Sequence, residues 1–450
     1  MWVVVLTVVA LQAVWPASAR AGMSAEERIR ALEQALQRQQ EEIRELRRQL
    51  NEQKTSGTLT RQQAQQAEEK ATAVETAQQR IPKWLERLSF FGDLRIRHEG
   101  FYNQPAERGE PVGARNRERL RARFGAIYRF SDELSVVMRL TSGNPDDPIS
   151  TNQTFTDTFT RKPVNLDWAY GSFTPGKTFG IRPGLVSFTG GKFPLPQFRV
   201  GEMVWDSDLS PEGFNQAFQV LPEPVGPLQQ LRLFVTQWSF AENSGEQDGW
   251  VFGGQVNPVA QLGPVEVEAG VGQWWYLNPD EIAQALNTNS SLFNSNLVVT
   301  ETVDGETEIV AYRSGFNLTN VTLGVTLPNV VEQMPLWFFL DYVHNWQAVN
   351  SQANGVQAGA RLGQAKVRGD WSVWATYEYL QQEAALSAFT WSDFGFGGTN
   401  VQGPIFAVDY QLLDPLTVSA RTFITNYLDA PPRTSNPTMF RLQLDALVRF

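Results

Sequence analysis

Hydrophobic and polar residues alternate along the last dozen residues of the chain. One face carries Phe440, Leu442, Leu444, Ala446, Val448 and Phe450, and the other carries Arg441, Gln443, Asp445, Leu447 and Arg449. A period of two predicts a β-strand with one apolar and one polar face. In a transmembrane barrel the apolar face would meet lipid and the polar face a watery lumen. On this strand alone, an edge strand of a secreted sandwich remains an alternative.

The same alternation recurs from residue 84 onward, between clusters of Gly, Pro, Asn and Asp. Runs of this kind begin near Leu88, Arg117, Glu133, Leu166, Leu185, Asp208, Leu231, Trp250, Val265, Phe316, Leu336, Gly355, Trp371, Ile405, Leu416 and Met439. Residues 84–450 are therefore predicted to form an all-β transmembrane antiparallel β-barrel of about 16 strands.

The connections between these runs alternate in length. Long connections such as residues 143–165 and 276–315 alternate with short ones such as residues 131–132 and 413–415. Outer-membrane barrels have long extracellular loops and short periplasmic turns. The pattern predicts that both termini lie in the periplasm and that residues 440–450 close the barrel against residues 88–97. Within residues 276–315, a short helix is predicted at residues 279–286.

The chain begins with a predicted targeting segment, residues 1–21. Residues 2–14 are almost wholly apolar and Ala17-Ser18-Ala19 has the small residues of a cleavage site. The apolar run is shorter than the roughly 20 residues that a membrane-spanning helix needs. No Lys or Arg precedes it, which departs from the usual pattern and suggests that translation starts further upstream. The segment predicts export from the cytoplasm.

A heptad repeat follows the targeting segment. Its seam is spaced alternately three and four residues apart and consists of Ile29, Leu32, Leu36, Gln39, Ile43, Leu46, Leu50 and Gln53. A seam this narrow gives a lone helix little to bury, so it favours self-association. Residues 23–82 are predicted to be a periplasmic coiled coil and linker, and a single charged helix used as a spacer is the alternative.

Composition narrows the range of functions. The chain has no Cys and two His in 450 residues, which removes thiolate metal sites and disfavours histidine-based catalysis. A net charge of −10 disfavours a nucleic-acid partner. The 14 Trp and 28 Phe suit aromatic girdles at membrane surfaces. For Trp274, Trp275 and Tyr276 a girdle position is favoured over an aromatic surface for sugars. No cofactor is predicted.

Arginines recur on the inward phase of the first three strands and the last. The predicted pore-lining residues are Arg95, Arg97, Arg119, Arg121, Arg123, Arg139 and Arg441. One interpretation is a cationic ladder that lowers the energy of passing anions. The other is a solvated face whose guanidinium groups pair with acidic residues. Both interpretations stay open at this point.

Four acidic residues surround one turn at residues 201–214. Folded inward, Asp206, Asp208 and Glu212 are candidates for narrowing the channel, and ordinary turn chemistry is the alternative. The spacing is not that of an EF-hand, so no metal site is predicted.

Several stretches carry a family resemblance. Residues 90–99 (FFGDLRIRHE), 115–125 (RNRERLRARFG) and 204–213 (VWDSDLSPEG), together with the export signal and Gln-rich coiled coil, resemble Gram-negative outer-membrane porins. The terminal Phe450 is similar to the C-terminal insertion signal of such barrels. The resemblance implies a passive diffusion channel in the outer membrane for ions and small hydrophilic solutes, with lipid around it. It also implies a homotrimer.

Two other classes stay open. An outer-membrane enzyme would need a nucleophile and base together, and the sequence has no G-x-S-x-G motif, so no enzyme is predicted. A structural tether, in which a plugged barrel anchors a periplasmic coiled coil that reaches peptidoglycan, is the alternative function.

The heptad seam generates a direct test. Deletion of residues 23–53 should abolish any oligomer that the coiled coil holds, because the seam is then gone. Gel electrophoresis of unheated samples measures this. Persistence of SDS-resistant trimers in the deletion variant would instead place the subunit contact on the barrel wall.

Overall fold

A computed structural model describes residues 44, 45, 48, 84–105, 113–156, 158–245, 247–331, 334–395, 397–430 and 434–450. The predicted signal peptide lies outside the described residues, as does the predicted coiled coil except for residues 44, 45 and 48. Arg48 there forms an ion pair with Glu45 at 2.7 Å. Among the described residues, no helix is both long and apolar enough to cross a membrane.

The chain divides into two compact units. The first comprises residues 1–89 and 366–368, and its described part includes a 3-10 turn at Leu85–Arg87. The second comprises residues 90–365 and 369–450 and contains the sheet.

Nineteen strands are described. They are β1 (Leu88–Tyr102), β2 (Arg115–Arg129), β3 (Leu134–Ser142), β4 (Gln153–Thr154), β5 (Val164–Phe173), β6 (Val186–Lys192), β7 (Glu212–Gln219), β8 (Leu228–Ala241), β9 (Gly249–Leu262), β10 (Val265–Leu277), β11 (Val298–Val303), β12 (Glu306–Tyr312), β13 (Asn317–Val331), β14 (Met334–Asn345), β15 (Asn354–Gly363), β16 (Trp371–Leu380), β17 (Val401–Leu413), β18 (Leu416–Tyr427) and β19 (Met439–Arg449). Helix α1 (Asp280–Ala285) and a 3-10 turn (Ser387–Phe389) lie in connections.

Sixteen of these strands form a closed antiparallel barrel. The short strand β4 pairs with β2, and β11 and β12 form a separate hairpin. Closure joins the first strand to the last, with Asp93 opposite Arg449 and Tyr102 opposite Phe440. The predicted antiparallel barrel, its strand number and its closing pair are confirmed, and every predicted strand start lies within four residues of an observed one.

The alternation in the sequence fixes which side chains face outward. On β19, Phe440, Leu444 and Val448 are exposed on the outer surface, whereas Arg441 and Gln443 are buried inside. The same phase leaves Phe124 of β2 and Phe406 of β17 exposed. Apolar side chains on the outer face of a barrel are stable where lipid covers them.

Connections at the two ends of the barrel differ as predicted. At one end, β9 and β10 are joined by residues 263 and 264, where Gly263 takes a φ of 63° that suits glycine. At the other end, residues 278–316 contain α1 and the β11–β12 hairpin. The short helix predicted at residues 279–286 is confirmed, whereas the hairpin was not predicted.

An apolar core fills the barrel at its long-loop end. Trp205, from the connection between β6 and β7, lies 5.5 Å from Trp238 and 5.8 Å from Trp274 between ring centroids. Tyr276 stacks on Trp205 at 6.0 Å. The girdle position expected for Trp274 and Tyr276 was wrong, because both side chains point inward onto this connection. Only Trp275 of that triplet faces outward.

The two adjacent tryptophans of β10 give a matched test. Trp274 is fully buried and Trp275 is 56% exposed. Trp274→Ala should lower the free energy of unfolding by about 3–5 kcal/mol because it empties a packed site. Trp275→Ala should have a smaller effect, since it opens no cavity. Denaturant titration with the heat-dependent gel shift of folded barrels as readout compares them, and equal losses would contradict the inward packing of Trp274.

Candidate pore lining and constriction

The inner face of β1, β2 and β19 carries a network of arginines and carboxylates centred on Glu99. Its side chain is fully buried. It accepts hydrogen bonds from Arg117 Nε at 2.5 Å, Arg441 Nη2 at 2.5 Å and Gln443 Nε2 at 2.8 Å. Arg119 Nη1 lies 3.7 Å from it. Three guanidinium groups therefore share one carboxylate, and the local charge is positive.

A second part of the network ties a long connection to the wall. Arg97 contacts its register partner Asp445 at 2.7 Å and Asp393, in the connection between β16 and β17, at 2.9 Å. Arg441 also contacts Asp393, at 2.7 Å. Since Asp393 bonds two buried arginines, it anchors its part of this connection to the strands that close the barrel.

A third part joins the wall to the connection between β6 and β7. Asp93 accepts hydrogen bonds from Arg121 at 3.0 Å and Arg123 at 2.7 Å. Asp208, from that connection, lies 3.8 Å from Arg121 and 3.3 Å from Arg123. Both arginines are thus held between a strand carboxylate and a loop carboxylate.

Arg139 of β3 forms a separate pair. Its Nε donates to Asp167 at 2.6 Å, and its guanidinium carbon lies 3.2 Å from the ring centroid of Trp168. The hydroxyl of Ser210 donates to the same carboxylate at 3.1 Å.

Six of the seven arginines predicted to line the pore are therefore ion-paired. Arg95 differs, because no described carboxylate lies within 4.0 Å of it and its Nη2 donates instead to Asn152 at 2.6 Å. All seven side chains lie on the inner face of the barrel. The interpretation in which guanidinium groups pair with acidic residues describes most of them.

Two connections meet inside the barrel. Asp206 Oδ2 accepts the backbone N–H of Ser392 at 2.8 Å, and the N–H of Asp206 donates to the carbonyl of Phe389 at 2.9 Å. Gln255 of β9 exchanges two hydrogen bonds with the backbone of Phe198, at 2.9 and 3.0 Å. Residues 193–211 are thereby fixed inside the lumen.

Burial and neighbouring charge act in opposite directions on the pKa of Asp208 and Asp393, and in the same direction on that of Asp206. Burial would raise the pKa of Asp208, but Arg121, Arg123 and Arg95 hold it below its usual value. Burial opposes ionisation of Asp393 as well, yet Arg97 and Arg441 hold its pKa well below normal. For Asp206, burial together with Glu202 and Asp208 raises the pKa well above normal. The arginines of the wall therefore favour the ionised form of Asp208 and Asp393.

Two open spaces adjoin these loops. A cavity of about 220 Å³ lies between the arginine wall and the loops, and its lining includes Arg95, Asp206, Asp208 and Asp393. A second, of about 290 Å³, shares Glu202, Trp391, Asp409 and Arg421 with the first. The two cavities are therefore neighbours that share part of their lining.

The three predicted constriction residues are not brought together. Asp206 and Asp208 border the first cavity. Glu212 lies at the start of β7, where its side chain is 64% exposed and contacts Lys192 at 2.8 Å. Sequence reasoning missed Asp93 and Glu99, although they share the inward phase with Arg95 and Arg97. Nothing in the sequence pointed to Asp393, because it lies in a connection without periodicity.

This fold and lining define a transmembrane barrel with a charged interior, and comparison with known proteins gives its family. The model of the family described as "Putative porin" matches residues 110–265 and 281–450. The chain belongs to this family, and the family and fold place it among the barrels of the outer membrane. No match was found among curated proteins.

Solved structures share the fold. The high-pH structure of OprB from Pseudomonas putida is 12% identical, and the alignment covers 82% of this chain and 96% of that chain with a TM-score of 0.51. OmpF of Salmonella typhi in complex with daunomycin is 9% identical, with 81% and 97% covered and a TM-score of 0.47. At these identities, the likeness to OprB shows the fold alone.

The anchoring by Asp393 gives a prediction. Asp393→Asn should lower the free energy of unfolding at pH 7 by about 2–3 kcal/mol, because Arg97 and Arg441 each lose a charged partner while buried. Since the folded-state pKa of Asp393 is depressed, the wild-type advantage is present above the unfolded pKa of roughly 3.9. It should disappear only as the pH falls below that value.

Denaturant midpoints between pH 7 and pH 3 measure this difference. Asp132→Asn is the matched control, since Asp132 and its partner Lys177 are exposed and 3.6 Å apart. A difference between wild type and Asp393→Asn that vanished already at pH 6 would contradict the depressed pKa.

Proposed function

We propose that the barrel is a passive diffusion channel for ions and small hydrophilic solutes across the outer membrane. The observation that carries the proposal is the pair of adjoining cavities between a charged wall and the inward connections. Polar linings of this kind replace part of a solute's hydration while leaving space for water. Residues 193–211 and 381–400 would form the narrowest part, with Asp206 and Asp208 at its edge.

The charges of the wall support a modest preference for anions. The network contains seven arginines and five carboxylates: Arg95, Arg97, Arg117, Arg119, Arg121, Arg123 and Arg441 against Asp93, Glu99, Asp208, Asp393 and Asp445. The ion pairs hold the guanidinium groups in place and cancel most of their field. The excess of positive charge that remains would raise the local concentration of anions.

The histidines do not support an alternative as an enzyme. The described contacts of His98 are with Glu118, and those of His344 are with Asn354 and Trp346. Neither histidine bonds a hydroxyl that could serve as an activated nucleophile. We propose that the chain carries out transport alone.

We also propose that the subunits assemble as a homotrimer through the coiled coil predicted in residues 23–82. The heptad seam supports self-association, although it does not fix the number of helices. Lipid would cover the outward apolar side chains, such as Phe124 and Phe406. Contact with peptidoglycan is proposed for the coiled coil on the grounds of its predicted periplasmic side.

Planar bilayers with a salt gradient test the channel and its selectivity. Purified wild-type protein should give discrete conductance steps and a reversal potential displaced toward that of the anion. Arg121→Gln should move the reversal potential toward the equilibrium potential of the cation, because it removes one positive charge from beside Asp93 and Asp208. Arg182→Gln is the control, since Arg182 is 54% exposed and pairs with Glu223 in a short turn.

The outcomes separate the two parts of the proposal. Absence of conductance steps would exclude the channel and favour a barrel that only tethers the coiled coil. Conductance steps with a wild-type reversal potential displaced toward that of the cation would support the channel function and contradict the anion preference.

A further inference from the structure

A row of side chains crosses five neighbouring strands on the wall formed by β14–β18. Register places Trp337 opposite Arg361, Arg361 opposite Trp374, Trp374 opposite Ala407, and Ala407 opposite Arg421. Directly paired residues of antiparallel strands project to the same face. The row therefore alternates aromatic rings with cations on the inner surface and has one small residue between the last two.

The guanidinium groups of this row stack on the rings. The Cζ atom of Arg361 lies 4.9 Å from the ring centroid of Trp337. The Cζ atom of Arg421 lies 4.8 Å from the centroid of Trp374 and 5.9 Å from that of Trp391. The small side chain of Ala407 leaves the space across which Arg421 reaches Trp374. Stacking of this kind holds a guanidinium plane in place through its face and leaves its N–H edges available.

The two stacked arginines differ from those of the opposite wall in their partners. Within the part of the chain that the structure describes, neither the side chain of Arg361 nor that of Arg421 makes a hydrogen bond or has a carboxylate within 4.0 Å. By contrast, the Cζ atom of Arg232 in β8 lies 5.9 Å from the ring centroid of Phe234, and its guanidinium group also forms an ion pair with Glu268 at 2.7 Å. The positive charge of Arg361 and Arg421 is therefore not cancelled by a direct partner.

Both arginines border the cavity of about 290 Å³, whose lining also includes Phe339, Trp374 and Trp391. That volume is at the lower end of the range of small-molecule sites, and aromatic walls with a few polar groups are typical of them. Two carboxylates are present as well. Asp409 accepts hydrogen bonds from Ser372 at 3.0 Å and Ser419 at 2.6 Å, and Glu202 accepts one from the N–H of Ser207 at 2.8 Å.

We propose that this cavity is a binding subsite for planar aromatic monocarboxylates within the channel. The carboxylate would take two N–H groups of one guanidinium in a bidentate contact, and the ring would lie against the aromatic side chains and the second guanidinium. Glu202 and Asp409 border the same cavity and repel further negative charge, so we expect di- and tricarboxylates to bind more weakly than monocarboxylates. This proposal rests on the channel function proposed above and names a class of solute for it.

Block of the channel by benzoate tests the subsite. In a bilayer with potassium chloride, benzoate should reduce the current of the wild type in a saturable way. Cyclohexanecarboxylate has the same charge and a similar size but no planar ring, and it should block at a clearly higher concentration. Acetate and glucose should reduce the current only at concentrations at which bulk solution effects appear.

Substitutions assign the block to the stacked arginines. Arg361→Gln and Arg421→Gln should each raise the half-blocking concentration of benzoate about tenfold, the loss expected for a hydrogen-bonded charged partner. Arg421→Lys keeps the charge without the planar fork and should give an intermediate value. Arg232→Gln removes a ring-stacked arginine whose charge is already paired, and it should leave the block unchanged.

Equal block by benzoate and cyclohexanecarboxylate, or wild-type block in both glutamine variants, would overturn the proposal. Calorimetric titration of the purified wild type and the two variants with benzoate gives a second readout. If the bilayer shows no conductance while benzoate binds the wild type and not the variants, the channel function fails and the site stands. If the bilayer shows conductance but neither assay shows benzoate binding, the channel function stands and the proposed subsite is wrong.

Discussion

The rest of this structure depends on one constraint, that a sheet within lipid must pair every backbone N–H and C=O group with itself. An open sheet would leave two edges unpaired in hydrocarbon, where each lost hydrogen bond is costly. The pairing of β1 with β19 removes those edges. Closure also separates the alternating side chains into a lipid face and an interior. Every charged residue on the inward phase must then find water or a partner inside.

Closure brings together residues that are far apart in the sequence, and the ion pairs follow from that. Glu99 and Arg441 are 342 positions apart and lie 2.5 Å apart in the wall. A single buried pair gains little once desolvation is counted. In the network around Glu99 and Asp393, each ion instead has several partners. The arginines that pair with carboxylates within the wall also bind Asp208 and Asp393 of the two inward connections. The position of these connections therefore depends on the charged residues of the wall.

The arginines on the two walls of the interior have different partners. On the wall of β1, β2 and β19, carboxylates contact six of the guanidinium groups. On the wall of β14–β18, tryptophan rings take that place for Arg361 and Arg421. A ring stabilises a cation without cancelling its charge, because it carries none. A wall of paired charges and a wall of stacked charges therefore offer a solute different chemistry.

By itself, the sequence determined the strands, their inward and outward phase and the closing pair, because side-chain alternation is a local property of each strand. It placed Arg97, Arg121 and Arg441 on the inner face for the same reason. Only the tertiary structure decided what those arginines contact. Asp393 and Asp208 come from connections that have no period, and the ring that packs against Trp274 belongs to Trp205, 69 positions earlier in the sequence. Such partners are set by how loops fold into the closed barrel, which no local pattern records.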